Sequence, residues 1–145
     1  MNNYATARTA LLTRFDAALA LAQTVEPSFL LVNDSDNEEP WEATGDEYVL
    51  RVFDADIVAT RPAVGNPFDR VFRRAHVDIF IPREIGGALG AQIFETIAPA
   101  FLTGATPDDL IFEGSATLTR GRKSGGAWFQ SALFPYHFNR LRPAA

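Results

Sequence analysis

The chain predicts an α+β fold, a mostly antiparallel sheet with two amphipathic helices packed on one face and long charged hairpins. Three observations carry this. Apolar residues recur at helical spacing in two separate stretches, β-branched and aromatic runs alternate with polar residues elsewhere, and the order is helix, strand, strand, strand, helix, strand, strand. The 145 residues are enough for one domain that buries roughly two thirds of its unfolded surface, and 47% apolar content supplies its core. A single domain over residues 1–145 is expected.

The first element runs from about Tyr4 to Thr24. Leu11, Phe15, Leu19 and Ala22, with Leu12 and Ala18 beside them, line one face of a 3.6-residue helix. Glu26-Pro27 stops it, because proline lacks the N–H donor and clashes with the preceding turn. Phe29-Leu30-Leu31-Val32 reads as a short buried strand. Residues 34–47 hold seven acids (Asp34, Asp36, Glu38, Glu39, Glu42, Asp46, Glu47) and no base, with Pro40 and Gly45 among them, which predicts an extended surface loop. Trp41 is its one large apolar residue and is expected to pin it to the body or to a neighbour.

Tyr48 to Thr60 is β-branched and aromatic, a strand. Two prolines and a glycine in 61–70 break it. Ala75, Val77, Ile79 and Ile81 then alternate with Arg74, His76, Asp78 and Phe80, so a long antiparallel hairpin presents one apolar and one polar face, the pattern of a sheet covered on one side. Pro82 ends it, and Gly86, Gly87 and Gly90 lead into a second helix with Leu89, Ile93, Phe94, Ile97 and Phe101 on one stripe. Pro99 should kink or loosen its last turns. A second hairpin closes the chain, Ile111 to Thr119 and Ala127 to Phe138, around an exposed mobile tip of Arg120-Gly-Arg-Lys-Ser-Gly-Gly126, and residues 139–145 trail off.

Charge is segregated along the chain. Residues 1–60 carry 3 bases against 11 acids, and residues 61–145 carry 10 bases against 7 acids. Arg61, Arg70, Arg73 and Arg74 fall in one turn-like segment, and Arg120, Arg122 and Lys123 in another. Opposed charges of this kind orient an encounter with a second copy or an ordered partner. An acidic chain of pI near 4.9 without a basic helix does not predict nucleic-acid binding. No cysteine is present, which excludes a disulfide framework, a thiolate zinc site and a cysteine nucleophile. No run of about 18 apolar residues and no signal-peptide pattern occurs, so a soluble, unsecreted protein without a membrane association is expected.

Each chemical motif is incomplete. Gly86-Gly87-x-x-Gly90 stands between strand and helix like a phosphate-cradling turn, but lacks the spacing and the lysine that phosphate binding uses. His76 and Asp78 share a strand face and form a possible acid/base pair, though a site needs more than one pair. His137 sits in an aromatic patch, Phe134-Pro-Tyr-His-Phe138. Asp34, Asp36 and Glu38 alternate like calcium ligands, yet Glu39 stands where an EF-hand loop needs glycine. No catalytic residue, metal site or cofactor is predicted. The residues expected to carry function are those of a subunit or partner interface: Asp34, Asp36, Glu38, Glu39, Trp41, Arg61, Arg70, Arg73, Arg74, Arg120, Arg122 and Lys123. Either arginine cluster, reaching the 34–47 loop of the next copy, would make a heterologous contact that closes into a ring.

In size, element order and style the chain resembles the tail terminator proteins of long-tailed bacteriophages and gene transfer agents. The helix Ala5 to Ala22, the Trp41 loop, the strand Arg74-Ala-His-Val-Asp-Ile-Phe-Ile81 before Pro82, the glycine-led helix Leu89 to Leu102 and the final hairpin carry the resemblance. It implies a virion protein forming a ring, generally a hexamer, that caps the tail tube, stops its polymerisation and joins it to a head-side connector. It further implies no enzymatic activity, and partners in the tail tube protein, a head-completion or connector protein, and genomic DNA that passes the lumen without specific binding. A net acidic subunit suits such a passage, since strong phosphate binding would stall transit. A different neck or tail-tube component shares these features. A small-molecule-binding α+β domain, with a pocket lined by Phe80, Phe94, Phe101 and Tyr136, is the reading from another class.

Overall fold

The computed structural model describes residues 3–33, 41–60, 68–102, 110–124 and 126–141. They form an α+β domain in two layers, helices over one face of a mixed seven-stranded sheet. Helix α1 (Tyr4–Val25) begins where Asn3 caps it. The Asn3 side chain accepts from the Thr6 amide at 2.8 Å, and the Thr6 hydroxyl accepts from the Asn3 amide at 2.9 Å, so two otherwise orphaned donors are satisfied. Glu26 leaves the helix in extended conformation just before Pro27.

Strand β1 (Leu30–Asn33) pairs in parallel with β2 (Val49–Thr60), which pairs antiparallel with β3 (Phe68–Pro82). The register of that hairpin shifts between Asp56 and Val58. Strand β7 (Ala127–Leu141) runs beside β3 for the whole length of both, from Phe68 opposite Leu141 to Pro82 opposite Ala127. The other side of β7 is met in turn by β4 (Ile111–Phe112), β5 (Thr117–Leu118) and β6 (Arg122–Ser124).

Four sequence expectations change here. The Phe29 segment is an edge strand rather than a buried one: Phe29 is buried, but Leu30 is exposed, because β2 covers β1 on one side only. Arg70, Arg73 and Arg74 lie inside β3 rather than in a turn, since full pairing with β7 extends the strand back to Phe68. The charged tip is not a free loop at Arg122 and Lys123, which join the ladder opposite Phe129 and Trp128. Residues 139–141 continue β7 instead of trailing off.

The layers meet through a core in which Leu11, Phe15, Ala18 and Ala22 of α1 and Ile93 and Ile97 of α2 (Gly87–Ile97) pack on Leu50, Val52, Val77, Ile79, Ala132 and Phe134. Pro99 separates α2 from a four-residue helix α3 (Pro99–Leu102), whose Phe101 stacks on Phe134 at 4.2 Å. Each such buried aromatic contributes roughly 1.5–3 kcal/mol. Two glycines in the first turn of α2 serve packing. A Cβ on Gly90 would collide with the Gln130 side chain, and one on Gly87 would crowd the Trp128 ring at 3.0 Å, so the helix sits closer to β7 than alanine permits. That requirement accounts for the motif without a phosphate.

Candidate functional site

Because strand side chains alternate, the register assigns one face of the sheet to the helices, and among the described residues no helix covers the other. On the uncovered face stand Arg51 and Phe53 from β2, Arg70, Phe72, Arg74, His76, Asp78 and Phe80 from β3, and Phe129, Ser131, Leu133, Pro135 and His137 from β7. Leu30 on β1 and Ile111 on β4 share this face, at 58% and 49% exposure, so both margins of the platform expose a large apolar side chain.

The end nearest Tyr48 and Pro82 is closed over by the segment 41–47. Trp41 meets Phe80 edge-on at 5.0 Å, and Phe80 stacks on Phe129 at 4.9 Å, forming a second, smaller apolar cluster with Val49 and Ala127. Gly45 backs against Gly126 so closely that a Cβ would meet its Cα at 2.8 Å, and Gly45 has a φ of 101°, both of which demand glycine. The Arg122 guanidinium lies over Phe129 at 4.7 Å and lines one cleft with Trp41, Glu42 and Arg51. The 41–47 segment and the arginine tip are therefore neighbours within one chain. Asp78 is buried here and satisfied: Arg51 donates from Nη2 at 2.7 Å and from Nε at 3.1 Å, and the Ser131 hydroxyl donates at 2.6 Å.

Among the described residues, no segment closes over the far end of the same face. His76 stacks on Phe53 at 4.4 Å, and Phe72 tilts against His137 at 5.4 Å. Burial holds the His76 imidazole below its ordinary value of about 6.5; Asp78 pulls it partly back up, and Arg74 adds to the depression. The acid/base pair read from the sequence is not assembled, since Asp78 engages Arg51 and Ser131 while His76 engages Phe53. His137 Nδ1 stands 3.6 Å from a Glu113 oxygen, too far for a hydrogen bond. Arg70 donates to Asn139 at 3.4 Å. Arg74 has no carboxylate within ion-pair distance among the described residues.

The predicted interface residues thus separate. Arg70 and Arg74 share the open platform. Arg73 points the other way, toward α1, where its Nε lies 2.6 Å from Asp54 Oδ2. Tyr136 donates to Asp54 Oδ1 at 3.0 Å, and burial, followed by the Asp54 charge, raises the tyrosine hydroxyl well above its ordinary pKa. Arg120 is exposed beside Arg122 and Lys123, at the opposite end of β7 from His137. Asp34, Asp36, Glu38, Glu39 and Arg61 lie outside the described residues. Sequence reasoning missed Arg51, Phe53 and Phe72 on this face; the alternation of β2 was the available signal, but its mixed apolar run left the face ambiguous.

The pocket expected from Phe80, Phe94, Phe101 and Tyr136 does not exist as a unit. Phe94, Phe101 and Tyr136 belong to the core between helices and sheet, and Phe80 lies on the opposite side of the sheet. A different cavity, of about 260 Å³, lies under the first turns of α1, with Leu11, Phe15 and Phe138 on its apolar wall and Arg73, Asp54 and Tyr136 on its polar one. Among the described residues no three histidine, cysteine or carboxylate side chains gather as a metal would need, and no helix is long and apolar enough to cross a membrane.

No family model matches the chain, and no curated protein matches it in sequence. A solved structure aligns over 99% of this chain and 100% of its own, with a TM-score of 0.63 at 13% identity. Such a likeness defines the class as an α+β fold shared from end to end. It carries the fold alone.

Proposed function

We propose that this protein is a structural virion component that forms a ring, a hexamer, on the head-proximal end of a phage-type tail tube, stops tube growth and joins the tube to the head-side connector. The observation that carries the reading is the uncovered sheet face. Phe53, Phe72, Leu133, Leu30 and Ile111 make it apolar, Arg70 and Arg74 make it basic, and it spans strands of 15 residues. Beyond the end closed by segment 41–47, about ten residues of each of three strands, at about 3.3 Å per residue and about 4.8 Å per strand, offer roughly 500 Å², somewhat over half of the roughly 800 Å² per partner of a stable protein interface. At the β7 margin strand addition finds little ladder, since β4 and β5 have two residues each. The tail tube and connector proteins are the further partners, and DNA passes through the lumen unbound.

Light scattering of the purified protein, beside electron microscopy of particles from a genome encoding it, tests this. A closed ring of one size at the head end of a tail supports the terminator. Stacked rings growing into tubes would assign it to the tube instead, and a monomer absent from every particle would remove the reading. The cavity under α1 favours a second reading, a ligand-binding domain, and a bound small molecule in a monomeric protein would establish that one.

A further inference from the structure

Resting on the ring reading, we infer that successive copies join head to tail. The Arg70–Arg74 platform of one copy takes the 42–47 segment of the next, with Phe53, Phe72 and His76 buried beneath the contact.

Among the described residues the positions of the arginines favour this arrangement. Arg122 already lies beside its own chain's 41–47 segment, where it shares a cleft with Trp41 and Glu42 and Gly126 touches Gly45. Arg73 is turned to the helix side and held by Asp54. Arg70 and Arg74 remain on the uncovered face, and along β3 they sit far from the acids. Val49, two residues after Glu47, pairs with Phe80. From Phe80 to Arg74 is six residues of strand, roughly 20 Å, and to Arg70 ten residues, roughly 33 Å.

Glu42, Asp46 and Glu47 are exposed at the near end. They are anchored there by Trp41 on Phe80 and by the Gly45–Gly126 approach, and so cannot fold back onto their own Arg74. Among the described residues this complementary pair of surfaces is not satisfied within the chain, and a second copy satisfies it. A contact between two different surfaces propagates in one direction, and so closes into a ring where the rotation permits. The aromatic layer of Phe53, His76 and Phe72 around Arg74 gives the contact an apolar floor, where opposite charges attract more strongly than in water and so offset their desolvation.

The chain has no cysteine, which allows a direct test. In the double variant Arg74→Cys with Glu47→Cys, the two thiols are too far apart to bridge within one chain, since disulfide Cα atoms lie within about 7 Å. Mild oxidation at high protein concentration should therefore give a ladder of covalent oligomers, ending at the ring number, while each single variant stops at dimers. Charge exchange supplies the second arm. R70E/R74E and E42R/E47R should each weaken assembly at least tenfold by light scattering, with unchanged thermal unfolding, and combining all four substitutions should restore the ring.

A wild-type ring with no cysteine ladder, and with R70E/R74E assembling normally, would overturn this contact and leave the ring reading standing. A wild-type monomer at every concentration would overturn both.

Discussion

Arg14 shows how a single residue can contradict its pattern and still be required. It occupies the buried side of α1 at 5% exposure, where the helical stripe calls for an apolar residue. Its Nη1 donates to the Ala100 carbonyl at 3.1 Å and the Phe101 carbonyl at 3.4 Å, both in α3, and its guanidinium lies over Phe112 at 4.6 Å. Arg14→Ala strands those carbonyls, and a denaturant melt should show a loss of about 2–3 kcal/mol. Asp78→Ala leaves the Arg51 guanidinium without its carboxylate; as Arg51 is 22% exposed and partly rehydrates, the expected loss is near the low end of the buried-pair range, about 3 kcal/mol. His76 has a lowered folded-state pKa, so below about pH 6.5 the unfolded chain takes up more protons than the folded one. The stability His76 permits is complete above that pH and falls as pH drops through the folded value. Urea midpoints between pH 7.5 and 5 should decline less in His76→Gln than in the parent; equal declines would contradict this assignment.

Among the elements, α2 owes its position to the absence of a side chain. Alanine at Gly90 would raise helix propensity by about 1 kcal/mol, but its Cβ would displace Gln130, which accepts from Trp128 Nε1 at 3.3 Å and donates to the Thr119 carbonyl at 3.2 Å. The clash and the lost bonds outweigh the propensity, and Gly90→Ala should destabilise by about 1–2 kcal/mol. A double-mutant cycle with Gln130→Ser should give a clear coupling, since the shorter side chain makes room; additivity would show that the helix moves instead. The elements were legible in the sequence where a strong period or a breaker marked them: α1 from its stripe and Pro27, the end of β3 from Pro82, the α2–α3 break from Pro99. The edge status of β1 and the breakup of the 111–124 segment into β4, β5 and β6 were not. Both depend on which strand lies alongside, and pairing partners are not encoded in a local pattern.

For the whole molecule, ring assembly through Arg74 and the 42–47 acids should be salt-sensitive. Raising ionic strength from about 0.1 M to about 1 M shortens the Debye length from about 10 Å to about 3 Å, and light scattering should then show a shift toward smaller species. An assembly indifferent to salt would place the contact on the apolar residues alone. The candidate site was half legible for a related reason. Charge segregation named the arginines and acids, but only the register of β3 against β2 and β7 puts Arg70 and Arg74 on the uncovered face and Arg73 on the other.

The sequence by itself determined the two-layer α+β class, the amphipathic helices, the hairpin with one apolar face and the opposed charges, because periodicity and net charge are properties of short windows. The tertiary structure decided the rest: that Asp78 belongs to Arg51 and not to His76, that Arg122 neighbours its own acidic segment, and that Arg70 and Arg74 lie at the far end of the sheet. Those outcomes follow from which residues a fifteen-residue ladder brings into register, a long-range pairing that no local window contains.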